Sequence, residues 1–503
     1  MKYLYGVSIK KIQSYIFNSS KLKNIAGASE LVDYLCTDFF DEFIKEKKED
    51  IQTIIQAAGN IRVIINNEET AKFVMLNFLK QVSKKAPGIQ IVQAIIELPN
   101  DKIAAKDSWR LEDELKKQLP LSIPFEDWSS ITKSRTTGKC ITCQPTIANS
   151  KNYEDLETAA KLAAVNKHWT NLKNLFKTSF NPPLANIEFP SDADKIAGTD
   201  NFLAVIHADG NSLGKTLMQL AKDENYDKKW PEFSRQLDIA TKNAAKLSYQ
   251  KNCAKLNKFR PIILGGDDLT VICAAEDAIP FTIDYLNFFK EECAKSTVLG
   301  KLTACAGIAF IKANYPFYYG VRLAEILCSE TKKRAKACSE NPVPSSFMFA
   351  KELGSFIDPS FSAREKRLLS ISTGNEKISF AFGPYKTSED EEGGKNLPDA
   401  NTLLSIVNKI KENKNLALHS GFRKLLTKLH ESIDSAKFHL ERIEEIAEDK
   451  NLSNKLNDIK LELSKLSMAN EKSDFYSILI NSGKSPLIDI LTAYQFSQNN
   501  NEE

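Results

Sequence analysis

The sequence has no apolar run long enough to cross a membrane, and Lys10 and Lys11 interrupt its hydrophobic N-terminus before a signal-peptide core can form. It also has no strong charge of either sign, since 68 basic and 65 acidic residues leave a net charge of +3. Such a balance is too weak to hold a nucleic-acid backbone unaided. We therefore expect a cytoplasmic protein without a membrane partner, in which other subunits would have to help hold any bound nucleic acid.

Paired cysteines are also scarce. Nine cysteines are spread over the chain, and most stand singly inside apolar runs, as Cys273 and Cys305 do, which predicts reduced core residues. The single Cys-x-x-Cys joins Cys140 and Cys143, and His168 is the sole nearby candidate to assist it. Because a structural zinc site needs four ligands, the sequence supports a Zn²⁺ site here only weakly.

Element order repeats along the 503 residues, a length that predicts several domains. The first copy has strands at 3–9 and 89–98, a helix from about Lys11, a hairpin at 51–67 broken near Gly59, and a helix from Glu68 to Lys84. This is the β-α-β-β-α-β order of ferredoxin-like folds. The repeat is visible in the order of elements more than in residue identity.

The second copy follows the same order. A strand at 202–208 precedes helices that begin near Asn211 and Trp230, and a hairpin at 261–275 occupies the position of the first one. A helix from Ile279 to Lys295 and a strand at 302–310 follow. An amphipathic helix then closes the unit, with one apolar face made of Val321, Ala324, Leu327 and Cys328.

These patterns predict an α+β fold with two ferredoxin-like palm domains of the GGDEF/cyclase kind, a helical inter-palm domain and a C-terminal helical bundle. The segment 383–396, GPYKTSEDEEGGKN, is predicted to be an exposed loop or boundary. The bundle is predicted from apolar residues at steps of three and four: Phe422, Leu425, Leu426, Leu429, Ile433, Ala436, Leu440 and Ile443. The predicted domains are residues 1–99, 100–198, 199–394 and 395–503.

The motif GGDD in the second hairpin carries the strongest chemical signal. Gly265 and Gly266 allow a tight turn and let a triphosphate approach the backbone. Asp267 and Asp268 repel each other as neighbours, and a divalent cation resolves that repulsion. A solvated Asp-Asp turn is the alternative for this motif alone.

A third carboxylate stands where the repeat requires it. In HADGNSLGK a buried strand ends at Asp209, Gly210 turns the chain, and Asn211 or Ser212 can cap the next helix, whose first turn contains Gly214 and Lys215. The N-H groups of that helix start would face phosphate oxygens. A strand-turn-helix without chemistry is the alternative.

Together the three aspartates predict a site for two Mg²⁺ or Mn²⁺ ions that activates a ribose 3′-hydroxyl and neutralises the departing pyrophosphate. Lys336, near the end of the helix that contains TKKRAK, is a candidate contact of the triphosphate, with a solvated helix end as the alternative.

The chain resembles the polymerase/cyclase large subunit of type III CRISPR effector complexes, the palm-containing protein of the Csm and Cmr assemblies. The resemblance rests on GVSIKKIQSYIF, AGASELV, HADGNSLGK, GGDD, the GIAFIKANYPF segment before TKKRAK, and a later GPY. It implies synthesis of cyclic oligoadenylate from ATP when a complex with crRNA and other subunits binds target RNA. It also implies that Asp209, Asp267 and Asp268 form the active palm.

Two departures from this family affect the expectations. Many members begin with an HD nuclease domain, whereas this sequence opens on the first palm and contains no His-Asp dipeptide, so we expect no intrinsic DNA cleavage. Many also carry a zinc ribbon with two cysteine pairs, of which only Cys140 and Cys143 have counterparts here.

The first palm lacks the metal-binding carboxylates. Its hairpin has Ala57, Ala58, Gly59 and Asn60 in place of GGDD, so we expect it to hold the acceptor nucleotide across a pseudo-dimer interface. Ser29 in AGASELV is a candidate contact, with helix packing as the alternative. A stand-alone GGDEF-like cyclase that needs no guide RNA, and a non-catalytic scaffold, are the competing functions.

Overall fold

The computed structural model describes residues 1–19, 21–57, 59–99, 103–120, 133–134, 138, 140–141, 154–177, 189–253, 258–354, 358–373, 376–388 and 392–497. The described strands are β1 (Lys2–Lys10), β2 (Ile51–Ala57), β3 (Asn60–Ile65), β4 (Gln90–Leu98), β5 (Phe202–Gly210), β6 (Phe259–Gly265), β7 (Asp268–Ala274), β8 (Ala304–Lys312), β9 (Ser346–Lys351), β10 (Ser370–Thr373), β11 (Glu376–Ser379) and β12 (Tyr385–Lys386).

The described α-helices are α1 (Ile12–Ile16), α2 (Leu22–Cys36), α3 (Asp38–Phe43), α4 (Glu68–Lys85), α5 (Ala105–Lys117), α6 (Leu156–Lys177), α7 (Ala193–Ile196), α8 (Leu213–Leu220), α9 (Tyr226–Asn252), α10 (Ala278–Ala294), α11 (Phe317–Cys338), α12 (Phe361–Leu368), α13 (Ala400–Glu412), α14 (Leu418–Glu431), α15 (Ile433–Asp449), α16 (Ser453–Ser467), α17 (Phe475–Leu479) and α18 (Leu487–Phe496). Short 3₁₀ helices span Lys45–Asp50, Thr199–Asn201, Ala275–Asp277 and Lys414–Leu416.

The first sheet has the strand order β2-β3-β1-β4, and all its pairs are antiparallel. This is the order that a β-α-β-β-α-β chain adopts when its two outer strands flank the first and third. Successive side chains point to opposite faces of a strand. In β1, Tyr5 and Val7 therefore pack with α2 and α4 on one face, while Leu4 packs on the other face with Leu111 of α5.

The second sheet repeats this arrangement as β8-β5-β7-β6, with β9 added parallel to β8 and β12 added beyond it. One face of β5 presents Ala204 and Ile206 to the core that contains α9 and α10. The other face presents Val205 to the core that contains α11. Both palms predicted from the sequence are thus present, and the α+β fold class is confirmed.

The two palms share one continuous apolar core. Ile25 of α2, in the first palm, belongs to the same buried cluster as Ile262 of β6 and Ile272 of β7, in the second. Because interiors are close-packed, a cluster that crosses the boundary fixes one palm against the other. The outer strands β2 and β6 lie on the side of each palm that faces the other palm. The hairpins that contain them are therefore held in a fixed position relative to each other.

The predicted inter-palm region contains the helices α5, α6 and α7 in its described part. Helix α5 and the first part of α6 pack on the first palm, whereas Phe176 near the end of α6 packs with Tyr249 and Phe259 of the second palm. Helix α5 covers the face of the first sheet that α2 and α4 leave open, through Leu111 and Leu115. Helix α6 approaches α2 so closely that a Cβ on Gly27 would lie 1.9 Å from the backbone oxygen of Lys161. Only a glycine fits at this crossing.

The C-terminal bundle shares a continuous core with the second palm. The stripe predicted from the sequence is largely in that core, with Phe422, Leu425 and Leu429 fully buried. The prediction of an exposed loop at 383–396 is wrong at its start, because Tyr385 pairs with Phe347 of β9 and is completely buried.

None of the described helices combines the length and apolar composition that a bilayer crossing requires.

Candidate active site

The GGDD motif forms the tight turn between β6 and β7. Gly265 pairs with Asp268, and Gly266 between them has a φ of 63°, a conformation that glycine adopts without strain. Helix α9 holds this turn, since Thr241 Oγ1 donates to the Gly266 oxygen at 2.6 Å and Asp238 Oδ1 accepts from the Gly266 nitrogen at 3.3 Å. The two carboxylates therefore project from a turn that is anchored from behind.

Strand β5 ends beside this turn. Ala208 pairs with Leu269 of β7, so the next residue along β5, Asp209, lies opposite Asp268. Gly210 allows the close approach, because a Cβ at this position would lie 3.1 Å from the Cβ of Asp267. The structure thus brings Asp209 together with the neighbouring Asp267 and Asp268, which follow it by almost sixty residues in the chain.

One carboxylate oxygen each of Asp209, Asp267 and Asp268 lies within 4.8 Å of the other two, and all three residues are half-buried. This is the one such group of potential metal ligands among the residues that the structure describes. Carboxylate oxygens at this separation are the donors that Mg²⁺ and Mn²⁺ prefer.

The carboxylates repel one another in this arrangement. Burial, a hydrogen bond with Asp209 and the charges of Asp268 and Asp209 together raise the pKa of Asp267 to about 7. Burial and the charge of Asp209 raise the pKa of Asp268 to about 6, against the opposing effect of Lys332. The site therefore has an excess of negative charge that a cation would relieve.

Lys332 on α11 is the functional residue that the sequence did not single out. Its Nζ contacts the carboxylate of Asp209 and donates to the Gly210 oxygen at 2.8 Å. It stands four residues after Cys328, on the buried face that the apolar stripe defines, so helical phase could have identified it. Lys336, the predicted triphosphate contact, lies one turn further along and is exposed.

Asn211 and Ser212 do not act as predicted. The Asn211 side chain is buried and turned inward, where its Nδ2 donates to Thr303 Oγ1 at 3.0 Å. Ser212 occupies the N-cap position of α8 in a left-handed conformation, with a φ of 60°, and its side chain makes no capping hydrogen bond. Both predictions of a side-chain cap are therefore wrong.

The first turn of α8 is open to its surroundings. A Cβ on Gly214 would have no neighbour within 4 Å, so this residue leaves free space at the helix start. The exposed Lys215 pairs with Glu340 at 2.9 Å, away from the three aspartates. Neither residue contacts the carboxylate group in this structure, and their roles as nucleotide contacts stay predictions.

Ser29 belongs to the contact between the palms. Its Oγ donates to the backbone oxygen of Ile262, at the irregular position of β6 between Pro261 and Ile263. This bond joins helix α2 of the first palm to the edge strand of the second. The alternative of helix packing describes this residue better than a nucleotide contact does.

A small cavity opens between the palms near the carboxylates. It is lined by Gln13 and Ser14 of the first palm and by Arg322 and Glu325 of α11. Burial, followed by the charge of Asp268, raises the pKa of Glu325 to about 7. Glu325 is thus a fourth acidic group close enough to interact with the site, and no sequence motif marked it.

The strand registers define the counterpart of the site in the first palm. In the first palm, Ser8 of β1 pairs with Asn60 of β3. These residues correspond to Asp209 of β5 and Asp268 of β7 in the second palm, and Gly59 corresponds to Asp267. The first palm therefore has no carboxylate at any of the three positions.

The zinc ligands predicted from the sequence stay a prediction. Cys140 is half-buried, whereas Cys143 and the His168 side chain lie outside the described residues.

Residues 202–339 match the family model of Cas10/Cmr2, second palm domain. The matched segment runs from the start of β5 to the end of α11, so it contains Asp209, the GGDD turn and Lys332. The resemblance to the large subunit of type III CRISPR complexes is confirmed over this domain. No curated protein matches the chain.

Several solved structures have a similar fold. A Csm1-Csm4 cassette in complex with pppApApA matches with a TM-score of 0.52 and 12% identity over 99% of this chain and 69% of that chain. A cassette in complex with cA4 matches with a TM-score of 0.50 and 13% identity, over 99% and 70%. In a match to the cassette with pppApA, at 14% identity and a TM-score of 0.42, 67% of this chain is covered and the match spans about half of that chain, 53%.

Proposed function

Because residues 202–339 match the second palm domain of Cas10/Cmr2, we propose that the chain is a nucleotidyltransferase that converts ATP to cyclic oligoadenylate. The observation that carries this proposal is the convergence of Asp209, Asp267 and Asp268, with oxygens within 4.8 Å of one another, in that domain. The fold alone would not carry it, since one fold hosts many functions.

The donor set fits two divalent cations. All three side chains are hard oxygen donors, and among the described residues the ion pair of this group joins Lys332 to Asp209. Asp209, Asp267 and Asp268 would hold Mg²⁺ or Mn²⁺. Such ions, when bound, activate a ribose hydroxyl and neutralise the departing pyrophosphate.

The residues of the chain supply the positioning. Thr241 and Asp238 anchor the GGDD turn, so the carboxylates of Asp267 and Asp268 are fixed before any substrate arrives. Lys332 holds Asp209 and adds a positive charge at the edge of the site, where a triphosphate would lie. Gly265 and Gly266 keep the turn free of side chains, which lets a phosphate approach the backbone.

The two palms divide the work in this proposal. The second palm holds the metal ions, and the first palm, with Ser8, Gly59 and Asn60 at the corresponding positions, holds the acceptor nucleotide across the cavity beside Gln13. The shared core keeps the two nucleotide positions at a fixed separation. Fixed separation favours one reaction geometry by removing the entropy of orientation.

We further propose that the chain acts in the cytoplasm as the large subunit of a type III CRISPR complex, with crRNA and further subunits holding the target RNA. The matched Csm1 chains were solved as cassettes with Csm4, in complex with cA3, cA4 and pppApApA. The small net charge of +3 supports a need for partners in RNA binding.

Mass spectrometry of the products tests both parts. The purified chain, alone and reconstituted with a Csm4-type subunit, crRNA and target RNA, is incubated with each nucleoside triphosphate and Mg²⁺ or Mn²⁺. We expect cyclic oligoadenylate from ATP that depends on the metal and increases with target RNA. Full activity without crRNA would favour a stand-alone GGDEF-like cyclase. An absence of pyrophosphate release under all conditions would favour a non-catalytic scaffold.

A further inference from the structure

A second, larger cavity lies at the other end of the second sheet. It has a volume of about 1380 Å³ and lies between the second palm and the C-terminal bundle. Its lining includes Asp200, which precedes β5, and Lys351, which ends β9, whereas Asp209 lies at the opposite end of β5. The cavity is therefore separate from the carboxylate site by the length of the strand.

One wall of this cavity presents only basic groups. The corner between α13 and α14 contributes Lys411, Lys414, His419 and Arg423, and no acidic residue of that corner lines the cavity. Lys351 adds a fifth group from the palm side. Lys414 and Arg423 make no ion pair with a carboxylate among the residues that the structure describes. Positive charges gathered on one wall repel one another.

Five acidic residues line the cavity, Asp200, Glu276, Asp277, Glu352 and Asp489, and three of them bond to groups outside the basic wall. Glu352 pairs with the buried Arg364 at 2.6 Å, and Asp489 accepts from Tyr385 Oη at 2.8 Å. Asp200 accepts from Gln495 Nε2 at 2.7 Å. Glu352 and Asp489 are therefore engaged away from the basic wall, whereas the charge of Asp200 acts on Lys351 and raises its pKa against the larger effect of burial. The corner that contains Lys414 and Arg423 contributes no acidic residue to the lining.

The basic groups of this wall repel one another. Burial lowers the pKa of His419, and the charge of Arg423 lowers it further. Burial and the charge of Lys414 act in the same way on the pKa of Lys411. Arg423 also lowers the pKa of Lys351, although burial is the larger cause. A bound polyanion would relieve this repulsion.

Size and polarity define the ligand more closely. The volume exceeds the range of roughly 300–1000 Å³ that is usual for drug-sized ligands. Leu353, 75% exposed, together with Leu491 gives the cavity apolar surface besides its basic wall. A ligand with several phosphates on one side and flat apolar groups on the other meets both features.

We propose that this cavity binds a short single-stranded oligonucleotide, with its phosphates against Lys414 and Arg423 and its bases on the apolar surface. The site does not depend on the three aspartates or on a divalent cation, so its test is independent of the proposed catalytic activity. Basic grooves with apolar or aromatic surface are the usual means of holding single strands without reading their sequence.

Binding of a fluorescent four-nucleotide oligoadenylate to the full chain in EDTA tests this site. Arg423→Ala combined with Lys414→Ala is compared with Lys424→Ala combined with Lys428→Ala. These two lysines of α14 lie outside the cavity lining, and replacing them removes the same charge. We expect the cavity variant to bind at least tenfold more weakly and the control to bind as the wild type does. The slope of log Kd against log salt should fall by about 1.4, as for two lost phosphate contacts.

Equal affinities of the cavity variant and its control would overturn the proposal, as would a salt slope unchanged by the cavity substitutions. ATP and inorganic triphosphate serve as competitors. If inorganic triphosphate competes as strongly as the oligoadenylate, the cavity recognises only negative charge and the oligonucleotide assignment is wrong. Weaker competition by both compounds supports it. Thermal unfolding of each variant shows whether the fold is kept.

Discussion

Lys332 and Asp209 lie side by side although 123 residues separate them in the chain. The same Nζ donates to the Gly210 oxygen at 2.8 Å, so the lysine links the end of β5 to helix α11. Its charge opposes the rise in the pKa of Asp268, so it acts on Asp268 as well as on Asp209. Lys332 is thus the main positive charge that the described residues bring to the site.

Replacing Lys332 by methionine should lower nucleotidyl transfer by about a hundredfold, the usual cost of losing one charged group from such a site. The side chain keeps its length and packing, so unfolding should change little. The rate of pyrophosphate release from ATP measures the effect. Lys333→Met is the control, because Lys333 is the next residue and is 80% exposed. Equal losses in the two variants would remove Lys332 from the site.

Changing Asp209, Asp267 or Asp268 singly to asparagine should abolish metal-dependent synthesis, a loss on the order of a thousandfold. An amide keeps the volume but not the charge that a divalent cation requires. Mn²⁺ should raise the Tm of the wild type and not that of the variants, because a ligand bound only by the folded state stabilises it. An unchanged Mn²⁺ shift in all three variants would contradict the metal site.

The palms should respond unequally to matched substitutions. Asn60 is the counterpart of Asp268 in strand register, so Asn60→Ala is the matched partner of Asp268→Ala. We expect the first change to lower the rate of pyrophosphate release slightly and the second to remove it. Similar losses at both positions would mean that the first palm also takes part in metal chemistry, against the absence of a carboxylate there.

Local patterns predicted most of the fold. Strands such as β1 and β5 are continuous apolar runs because both of their faces are buried, and the hairpins are marked by Gly59 and Gly266. The three aspartates could be found for a similar reason. Each stands at the end of a strand whose partner the repeat identifies.

Contacts between distant parts of the chain could not be predicted in this way. Asn211 was expected to cap α8, but its amide bonds to Thr303, a residue 92 positions away. Lys332 is one of three lysines in TKKRAK, and although helical phase places it on the buried face of α11, the packing of α11 on β8 is what brings it to Asp209. Local sequence patterns do not predict the basic cavity either, because the bundle and the palm each contribute one of its walls.

Stability above pH 7 should increase when Asp489 is changed to asparagine. Burial raises the pKa of Asp489 to about 7, above its ordinary value of 3.8. The folded state therefore holds this proton where the unfolded state has lost it, and stability declines as pH rises from about 4 to about 7. Removing the group should add about 4 kcal/mol at pH 8 and little near pH 4.

Urea unfolding at pH 8 and near pH 4 measures this difference. Asparagine can still accept the hydrogen bond from Tyr385, so the fold should be kept. The exposed Asp458 provides a control, since Asp458→Asn should change stability equally little at both pH values. A gain from Asp489→Asn that does not vary with pH would contradict the role of its charge.

Adding a single methyl group at Gly307 should disturb the site from behind. A Cβ there would lie 2.1 Å from the Ala324 oxygen and 2.6 Å from the Cys328 nitrogen, both backbone atoms of α11. Backbone of a packed helix cannot yield locally, so Gly307→Ala should displace α11 from β8 and cost about 3 kcal/mol. Since α11 carries Lys332, the lysine should move away from Asp209 and activity should fall even at temperatures where the protein stays folded.

Gly214→Ala, with no neighbour within 4 Å, is the matched control and should leave stability unchanged or slightly higher. Chemical denaturation and pyrophosphate release on the same samples separate the two effects, and full activity in a destabilised Gly307→Ala variant would show that the position of α11 does not control the site.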